Sequence, residues 1–218
     1  MEDINRLIRL AKMGYFRIRP VYAPGVDPLS TDESGVVGFD LIRAGRRIRI
    51  SLDQLPPELR APVRDSLLDI AGVRAVRRAR TLFDPDRSPR DDLRMTVVYR
   101  RGRPERIVFS APGIRPVVLS ARDFLPFVRG LQRLGYNTAV ARLRVRHEGV
   151  IKDLWVIGSR EAMRPVGYMI QQGRLPLDIF EQRGPVLFMN ADRYYKQLPA
   201  VPTEPVEYVR RGNWVFSP

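Results

Sequence analysis

The chain has 218 residues, of which 44% are hydrophobic and none is cysteine, and its 38 Lys and Arg against 24 Asp and Glu give a net charge of +14. This composition is typical of a globular protein and excludes disulfides, thiolate metal sites and cysteine nucleophiles. Because no apolar run approaches the roughly 20 residues of a membrane-spanning helix and the acidic N-terminus lacks the features of a signal peptide, we expect a soluble protein of the cytoplasm or of a viral particle.

The first half of the chain is predicted to form three strands followed by a helix. The elements expected there are a helix at 3–12, strands at 15–22, 36–42 and 47–52, and a helix that begins near 55–61 and ends at 72. Within the strands, Arg residues alternate with apolar residues. The two-residue period of a strand therefore predicts that Arg17 and Arg19, and likewise Arg47 and Arg49, lie on the outer face of an antiparallel sheet.

The second half repeats this order. Residues 84–92 are polar or proline and are predicted to be a linker. After it we expect strands at 93–100, 105–110 and 114–119, a helix at 120–135, and a hairpin of strands at 136–146 and 150–157. Three strands and a helix thus occur twice, which indicates a duplicated unit. At the level of topology, this repeated order resembles that of single-strand-binding proteins of the Whirly type.

The predicted fold class is therefore α+β, with antiparallel sheets each followed by a helix. We expect its units at 1–83 and 93–198, which form either two domains or one domain together. Residues 199–218 combine four prolines with Tyr208, Trp214 and Phe216. This composition predicts an extended arm that packs on its own domain or locks onto a neighbouring subunit, so that a homo-oligomer is expected.

The excess of positive charge predicts a polyanionic partner. A strongly basic surface concentrates anions around itself, and nucleic acids are the commonest large anions in a cell. Only Lys12, Lys152 and Lys196 are lysines, so that nearly all the basic residues are Arg. The planar Arg fork binds phosphate through two hydrogen bonds and also stacks on bases. A GC-rich genome would favour Arg over Lys, but it would not explain the surplus of base over acid.

Arg and Tyr residues at alternating positions are the candidates for nucleic-acid binding. Three groups each combine positive charges with an aromatic ring on one expected strand face, an arrangement that follows a phosphate backbone and stacks bases. Further Arg residues lie on the first hairpin and after the first long helix. The predicted binding residues are Tyr15, Arg17, Arg19, Arg47, Arg49, Arg77, Arg78, Tyr99, Arg101, Arg103, Tyr136, Arg142, Arg144 and Arg146. The alternative for each group is an ordinary solvated sheet face.

No motif for catalysis or cofactor binding is present. His147 is the single histidine and lies beside Glu148 in a predicted turn, where adjacent side chains seldom converge on one substrate. Four aspartates of the predicted linker have no strand framework to hold a metal ion. Neither a P-loop nor a G-x-G-x-x-G stretch occurs. We therefore predict no cofactor, no metal and no enzymatic activity.

These observations predict a non-catalytic nucleic-acid-binding protein, with single-stranded DNA or RNA favoured over duplex. The alternative function is that of a structural or assembly protein, for example a virion component, which its arms lock into place. Both hypotheses expect association with other molecules and no interaction with a membrane.

Overall fold

A computed structural model describes residues 3–210. These residues form helices and mostly antiparallel sheets, which confirms the predicted α+β class. They divide into two compact units, each built from separate stretches of sequence: within the described residues, unit 1 contains 3–80, 98–107 and 118–135, and unit 2 contains 81–97, 108–117 and 136–210. The predicted segments 1–83 and 93–198 were contiguous, unlike these units. None of the helices described is both long and apolar enough to cross a membrane.

Unit 1 begins with a helix and a three-stranded antiparallel sheet. The elements are α1 (Ile4–Lys12), β1 (Arg17–Tyr22), β2 (Val36–Arg43) and β3 (Arg46–Ser51), and the strand order is β1-β2-β3. The Asp3 side chain accepts a hydrogen bond from the Asn5 N–H and caps α1. Ala44 and Gly45 both have positive φ and form the two-residue turn between β2 and β3, a turn geometry that matches the twist of the strands.

Helix α2 (Pro57–Arg78) follows the sheet, and its apolar side completes the core of unit 1. This core combines one face of the sheet with α1 and α2 and consists mainly of Leu7, Ala11, Ile18, Phe39, Leu41, Ile50, Val63, Leu67 and Leu68. Alternate strand residues therefore point inward, and the opposite face of the sheet carries the intervening residues.

The same order of elements follows a second time. Strands β4 (Arg94–Arg100), β5 (Arg103–Ser110) and β6 (Val117–Ser120) form a sheet in the order β4-β5-β6, and α3 (Phe124–Arg133) comes after them. Each strand of this sheet has residues in both units. The order of three strands and a helix thus occurs twice along the chain. A common origin of the two copies stays a prediction.

Helix α2 continues past Gly72, so the prediction that Gly72 ends the helix is wrong. The reason is a close crossing of α2 and α3 inside unit 1. A Cβ atom at Gly72 would lie 2.2 Å from the Pro126 carbonyl oxygen, and one at Gly130 would lie 2.3 Å from the Gly72 carbonyl oxygen. Gly72 is therefore required for contact between the two backbones and not for a helix end.

Unit 2 is built around a four-stranded sheet. After α3 the elements are β7 (Ala139–His147), β8 (Val150–Gly158), α4 (Arg160–Gln171), β9 (Arg174–Pro176), β10 (Val186–Asn190), α5 (Ala191–Tyr194), β11 (Thr203–Pro205) and β12 (Glu207–Arg210). The sheet has the order β10-β8-β7-β12, and β9 pairs with β11. β8 and β10 are parallel, because α4 carries the chain back across the sheet between them.

The predicted linker at 84–92 is an ordered part of unit 2. Phe83 and Pro89 form an antiparallel bridge, and the Asp84 N–H donates to the Ser88 carbonyl oxygen at 2.9 Å. The Asn137 amide donates to the Ser88 hydroxyl at 3.1 Å. The lack of apolar residues in this segment thus reflects a hydrogen-bonded loop and not a flexible connection.

The described part of the C-terminal arm packs on its own unit. β12 pairs with β7, the Val206 N–H donates to the Gly173 carbonyl oxygen at 2.7 Å, and the Tyr208 hydroxyl donates to the Ile170 carbonyl oxygen. Tyr208 also packs against the apolar core of unit 2. Trp214 and Phe216 lie outside the described residues, so that a role of the arm in assembly stays a prediction.

Replacement of Tyr208 by Ala is expected to lower the free energy of unfolding by about 2 kcal/mol, because the half-buried ring leaves a void at the edge of the core. Phe at this position should cost about 1 kcal/mol, because the hydrogen bond from the hydroxyl to the Ile170 carbonyl oxygen is lost. Urea unfolding followed by circular dichroism measures both. The control is Val209→Ala at the neighbouring exposed position, with an expected change below about 0.5 kcal/mol. Equal stability of all variants would show that the arm does not stabilise unit 2.

Candidate nucleic-acid interface

The outer face of the β1-β2-β3 sheet carries four exposed Arg side chains. Arg17 and Arg19 alternate with buried residues along β1. Arg47 and Arg49 lie on β3, the other edge strand of the same sheet. The apolar core covers the opposite face. Arg17, Arg19, Arg47 and Arg49 are termed the basic face below.

Strand register arranges the basic face in two rows. The rows across β1, β2 and β3 are Arg19-Asp40-Arg49 and Arg17-Ile42-Arg47. Directly opposed residues of antiparallel strands point to the same side of the sheet, and neighbouring rows are two residues, or about 6.7 Å, apart. The four Arg side chains therefore extend from a regular two-by-two array of backbone positions.

Asp40 lies at the centre of this array. Its side chain is only 5% exposed, and both its carboxylate oxygens accept hydrogen bonds from Arg49, one from Nε and one from Nη2 at 3.1 Å. Arg47 Nη1 is 3.9 Å from the same carboxylate. The hydrogen bonds from Arg49 hold the pKa of Asp40 below its ordinary value, with a smaller opposing effect of burial. Asp40 is therefore an ionised carboxylate at neutral pH.

The other guanidinium groups of the basic face are open to an external anion. Arg47 has 64% of its side chain exposed. Within residues 3–209, neither Arg17 nor Arg19 has a carboxylate within 4.0 Å, although both are exposed. Because an exposed guanidinium without a close carboxylate keeps its hydrogen-bond donors hydrated, phosphate oxygens can replace that water.

Tyr15 lies ahead of the basic face and not on it. β1 begins at Arg17, so the prediction that Tyr15 shares a strand face with Arg17 and Arg19 is wrong. The residue is 42% exposed, and the Arg43 guanidinium carbon lies 4.7 Å from the ring centroid. Arg43 and Arg46 flank the two-residue turn and are exposed. The pair Arg43-Arg46 follows the pair Ile42-Arg47 directly along the hairpin, so that Arg43 and Arg46 leave the sheet on the side opposite the basic face.

Arg77 and Arg78 occupy the last turn of α2 and do not form a separate basic helix. Arg78 Nη2 is 3.4 Å from an Asp123 carboxylate oxygen. Burial raises the pKa of Asp123, whereas the nearby positive charges of Arg78, Arg17 and Arg19 act in the opposite direction. Arg78 and Asp123 are therefore near the β1 side of the basic face.

Arg142, Arg144 and Arg146 lie on the outward face of β7, alternating with buried residues. Each is engaged by a carboxylate: Arg142 and Arg144 are 2.9 and 3.4 Å from Asp153, and Arg146 is 3.1 Å from Glu207. Their charge is thus largely offset within unit 2. This group is a weaker candidate for phosphate binding than the basic face.

Tyr136 does not belong to the β7 face, which corrects the predicted strand of 136–146. β7 begins at Ala139, three residues later. The Tyr136 ring packs edge-to-face on Phe83, with the centroids 4.8 Å apart. Arg87 also lies over this ring, at 5.7 Å. Tyr136 therefore has a packing role in unit 2.

Tyr99, Arg101 and Arg103 do not share a strand face either. Arg101 and Gly102 both have positive φ and form a two-residue turn between β4 and β5. Tyr99 and Arg103 consequently lie on different strands. The predicted third group is wrong because the turn is two residues long, shorter than the four-residue turn expected.

The single histidine is part of a structural contact. His147 Nε2 is 2.5 Å from a Glu204 carboxylate oxygen, and the imidazole stacks on Phe180 with centroids 3.9 Å apart. Glu148, its sequence neighbour, has a positive φ in the turn between β7 and β8. In the described part of the chain, no group of three or more His, Asp or Glu side chains is arranged to hold a metal ion.

Unit 2 also contains an open cavity of about 740 Å³ that none of the predicted binding residues lines. On its wall the Tyr194 hydroxyl donates to both Asp178 carboxylate oxygens at 2.5 and 2.6 Å, and Arg193 is 3.0 Å from the same carboxylate. Burial raises the pKa of Tyr194 above its ordinary value, and its hydrogen bond to Asp178 adds to this shift. These three polar groups therefore satisfy one another on the cavity wall.

Sequence reasoning missed the central position of Asp40 among the Arg side chains of the basic face. The signal was available, because Asp40 lies between Phe39 and Leu41 and the alternation of a strand places it on the Arg-bearing face. Comparison with known proteins found no matching protein family, curated protein or solved structure. The interpretation of the basic face therefore rests on its geometry and charge.

Proposed function

We propose that this protein binds single-stranded DNA or RNA through the basic face and does not act on it chemically. The observation that carries the proposal is the array of four exposed guanidinium groups on one regular sheet face. A regular sheet fixes the spacing of the backbone positions from which these groups extend. Arg forks bind phosphate through two hydrogen bonds, and a nucleic acid strand presents phosphates one after another along its backbone.

The shape of the surface favours a single strand over a duplex. The major groove of a duplex admits a helix or a two-stranded ribbon. The basic face extends over three strands, which is wider than such a ribbon, and its outer surface is a sheet and not a helix. Sheets that carry Arg and an aromatic ring are typical of single-strand binding. Tyr15 is exposed just ahead of β1, where its ring packs against Arg43, and is not part of the basic face itself.

We also propose that the protein does not catalyse a reaction on the bound nucleic acid. Asp40 and Asp123 are the carboxylates near the basic face, and each is paired with an Arg side chain. The pKa of Asp40 lies below its ordinary value, so that this carboxylate is a weak proton acceptor. We also propose that the protein acts in the cytoplasm or within a viral particle, and that it is a homo-oligomer. Mass photometry of the purified protein tests the oligomeric state.

Binding of a labelled single strand is expected to weaken steeply as salt rises. If the protein contacts four to six phosphates, a plot of log affinity against log salt should have a slope of roughly −3 to −4, at about −0.7 per contact. Fluorescence anisotropy over a range of salt concentrations gives this slope.

Duplexes of the same length are the comparison in that titration and should bind more weakly than single strands at each salt concentration. Lack of binding to either ligand at low salt would end the nucleic-acid proposal. Tight binding without salt dependence would show that contacts other than phosphate pairing dominate. Tighter binding of the duplex would contradict the single-strand preference.

A further inference from the structure

We propose that Asp40 is a positioning residue for nucleic-acid binding, through which a buried negative charge strengthens the binding of a negatively charged ligand. The inference rests on the proposed function of the basic face. It concerns how Arg49 and Arg47 are held there.

The contact between Asp40 and Arg49 leaves one edge of the guanidinium free. Arg49 uses Nε and Nη2 to donate to the two Asp40 oxygens. A guanidinium has five N–H donors in one plane, so that both N–H groups of Nη1 and one of Nη2 remain for another acceptor. These donors form the end of the fork, the edge that binds phosphate through two hydrogen bonds. Arg49 is 46% exposed, which is consistent with a free outer edge.

Asp40 also fixes the direction of this edge. Its own side chain is almost fully covered on the central strand, and its backbone pairs with both neighbouring strands. A rigid carboxylate holds the flexible Arg49 side chain in one orientation before the ligand arrives. Arg47, 3.9 Å away, is drawn toward the same centre. The side-chain entropy that an unpaired Arg loses on binding is thus already lost in the free protein.

The negative charge of Asp40 opposes this effect only weakly. Arg49 and Arg47 neutralise it at close range. A simple charge model nevertheless makes the opposite prediction. In that model, removal of any carboxylate from a protein of net charge +14 tightens the binding of a polyanion.

The test is Asp40→Asn, which keeps the shape of the side chain and removes its charge. Single-strand affinity at 0.1 M salt should fall by about threefold to tenfold, the range of modest coupling between contacting residues. The matched control is Asp153→Asn in unit 2, which removes a carboxylate that also pairs with two Arg side chains on a strand. This control should bind as tightly as the unchanged protein or more tightly.

A double-mutant cycle with Arg49→Gln identifies the route of the effect. If Asp40 acts through Arg49, Asp40→Asn should have no cost, or a small gain, in the Arg49→Gln background. A loss of similar size in both backgrounds would indicate general damage to the fold. Thermal unfolding of each variant accompanies the binding measurements.

Arg49→Lys keeps the proposal testable if Asp40→Asn does not fold, because it preserves net charge and removes the fork. Its affinity should also fall by about threefold to tenfold. Unchanged or tighter binding by Asp40→Asn, or unchanged binding by Arg49→Lys, would overturn the positioning role while leaving nucleic-acid binding intact. Failure of the unchanged protein to bind single strands overturns the proposed function itself.

Discussion

Replacement of Arg17, Arg19 and Arg47 together by Gln is expected to weaken single-strand binding by about 100-fold at 0.1 M salt. Each lost phosphate contact reduces the salt slope by about 0.7, so that three contacts account for roughly two units of slope and, at 0.1 M, a factor of about 100. The loss should shrink toward 1 M salt. These three side chains are exposed on the sheet, and Gln keeps much of their length, so that folding should be retained. Anisotropy titrations at several salt concentrations measure both quantities.

The matched control replaces Arg160, Arg164 and Arg183 by Gln. These residues are exposed, lie in unit 2 and carry the same total charge. Their loss should reduce affinity far less, because they do not form an array on one strand face. Equal losses from both triple variants would show that net charge alone drives binding, and the basic face would then have no special role.

The basic face could be predicted because strand alternation is a local property. An apolar residue stands directly next to Arg17, Arg19, Arg47 and Arg49 in the sequence. Because side chains alternate between the two faces of any strand, these Arg residues are expected on the outer face. The tight turn after Arg43 was also visible from Gly45, since glycine favours positive φ. Sequence reasoning therefore placed the Arg residues of the basic face on one outer sheet face, but it did not single out Asp40 between them.

Predictions from the sequence were wrong where the position of a side chain depends on distant residues, or on one or two positions at the end of a strand. Tyr136 looked like the start of a strand, but its ring is held by Phe83, more than fifty residues earlier. Arg101 looked like a strand residue until the turn placed it at positive φ. Glu207, which offsets the charge of Arg146, is brought there by the pairing of β12 with β7, which no local pattern predicts.

Replacement of Gly72 by Ala is expected to destabilise the protein by about 3 kcal/mol. Helix propensity alone predicts the opposite sign, because Ala is favoured over Gly in a helix interior by about 1 kcal/mol. The added Cβ would lie 2.2 Å from the Pro126 carbonyl oxygen and 2.9 Å from the Gly130 nitrogen, and both are backbone atoms. Neither can rotate away as a side chain would, so that α2 and α3 must separate. Urea unfolding measures the change.

Two further variants decide between crowding and propensity. Gly130→Ala should be destabilising to a similar degree, because its Cβ would lie 2.3 Å from the Gly72 carbonyl oxygen. Ala61→Gly, at an exposed position of the same helix, should cost only about 1 kcal/mol from propensity. If Gly72→Ala instead raised the stability by about that amount, the two helices would not cross at their backbones. Gly72 would then be an ordinary helical glycine, and the core of unit 1 would need a different packing of α3 on α2.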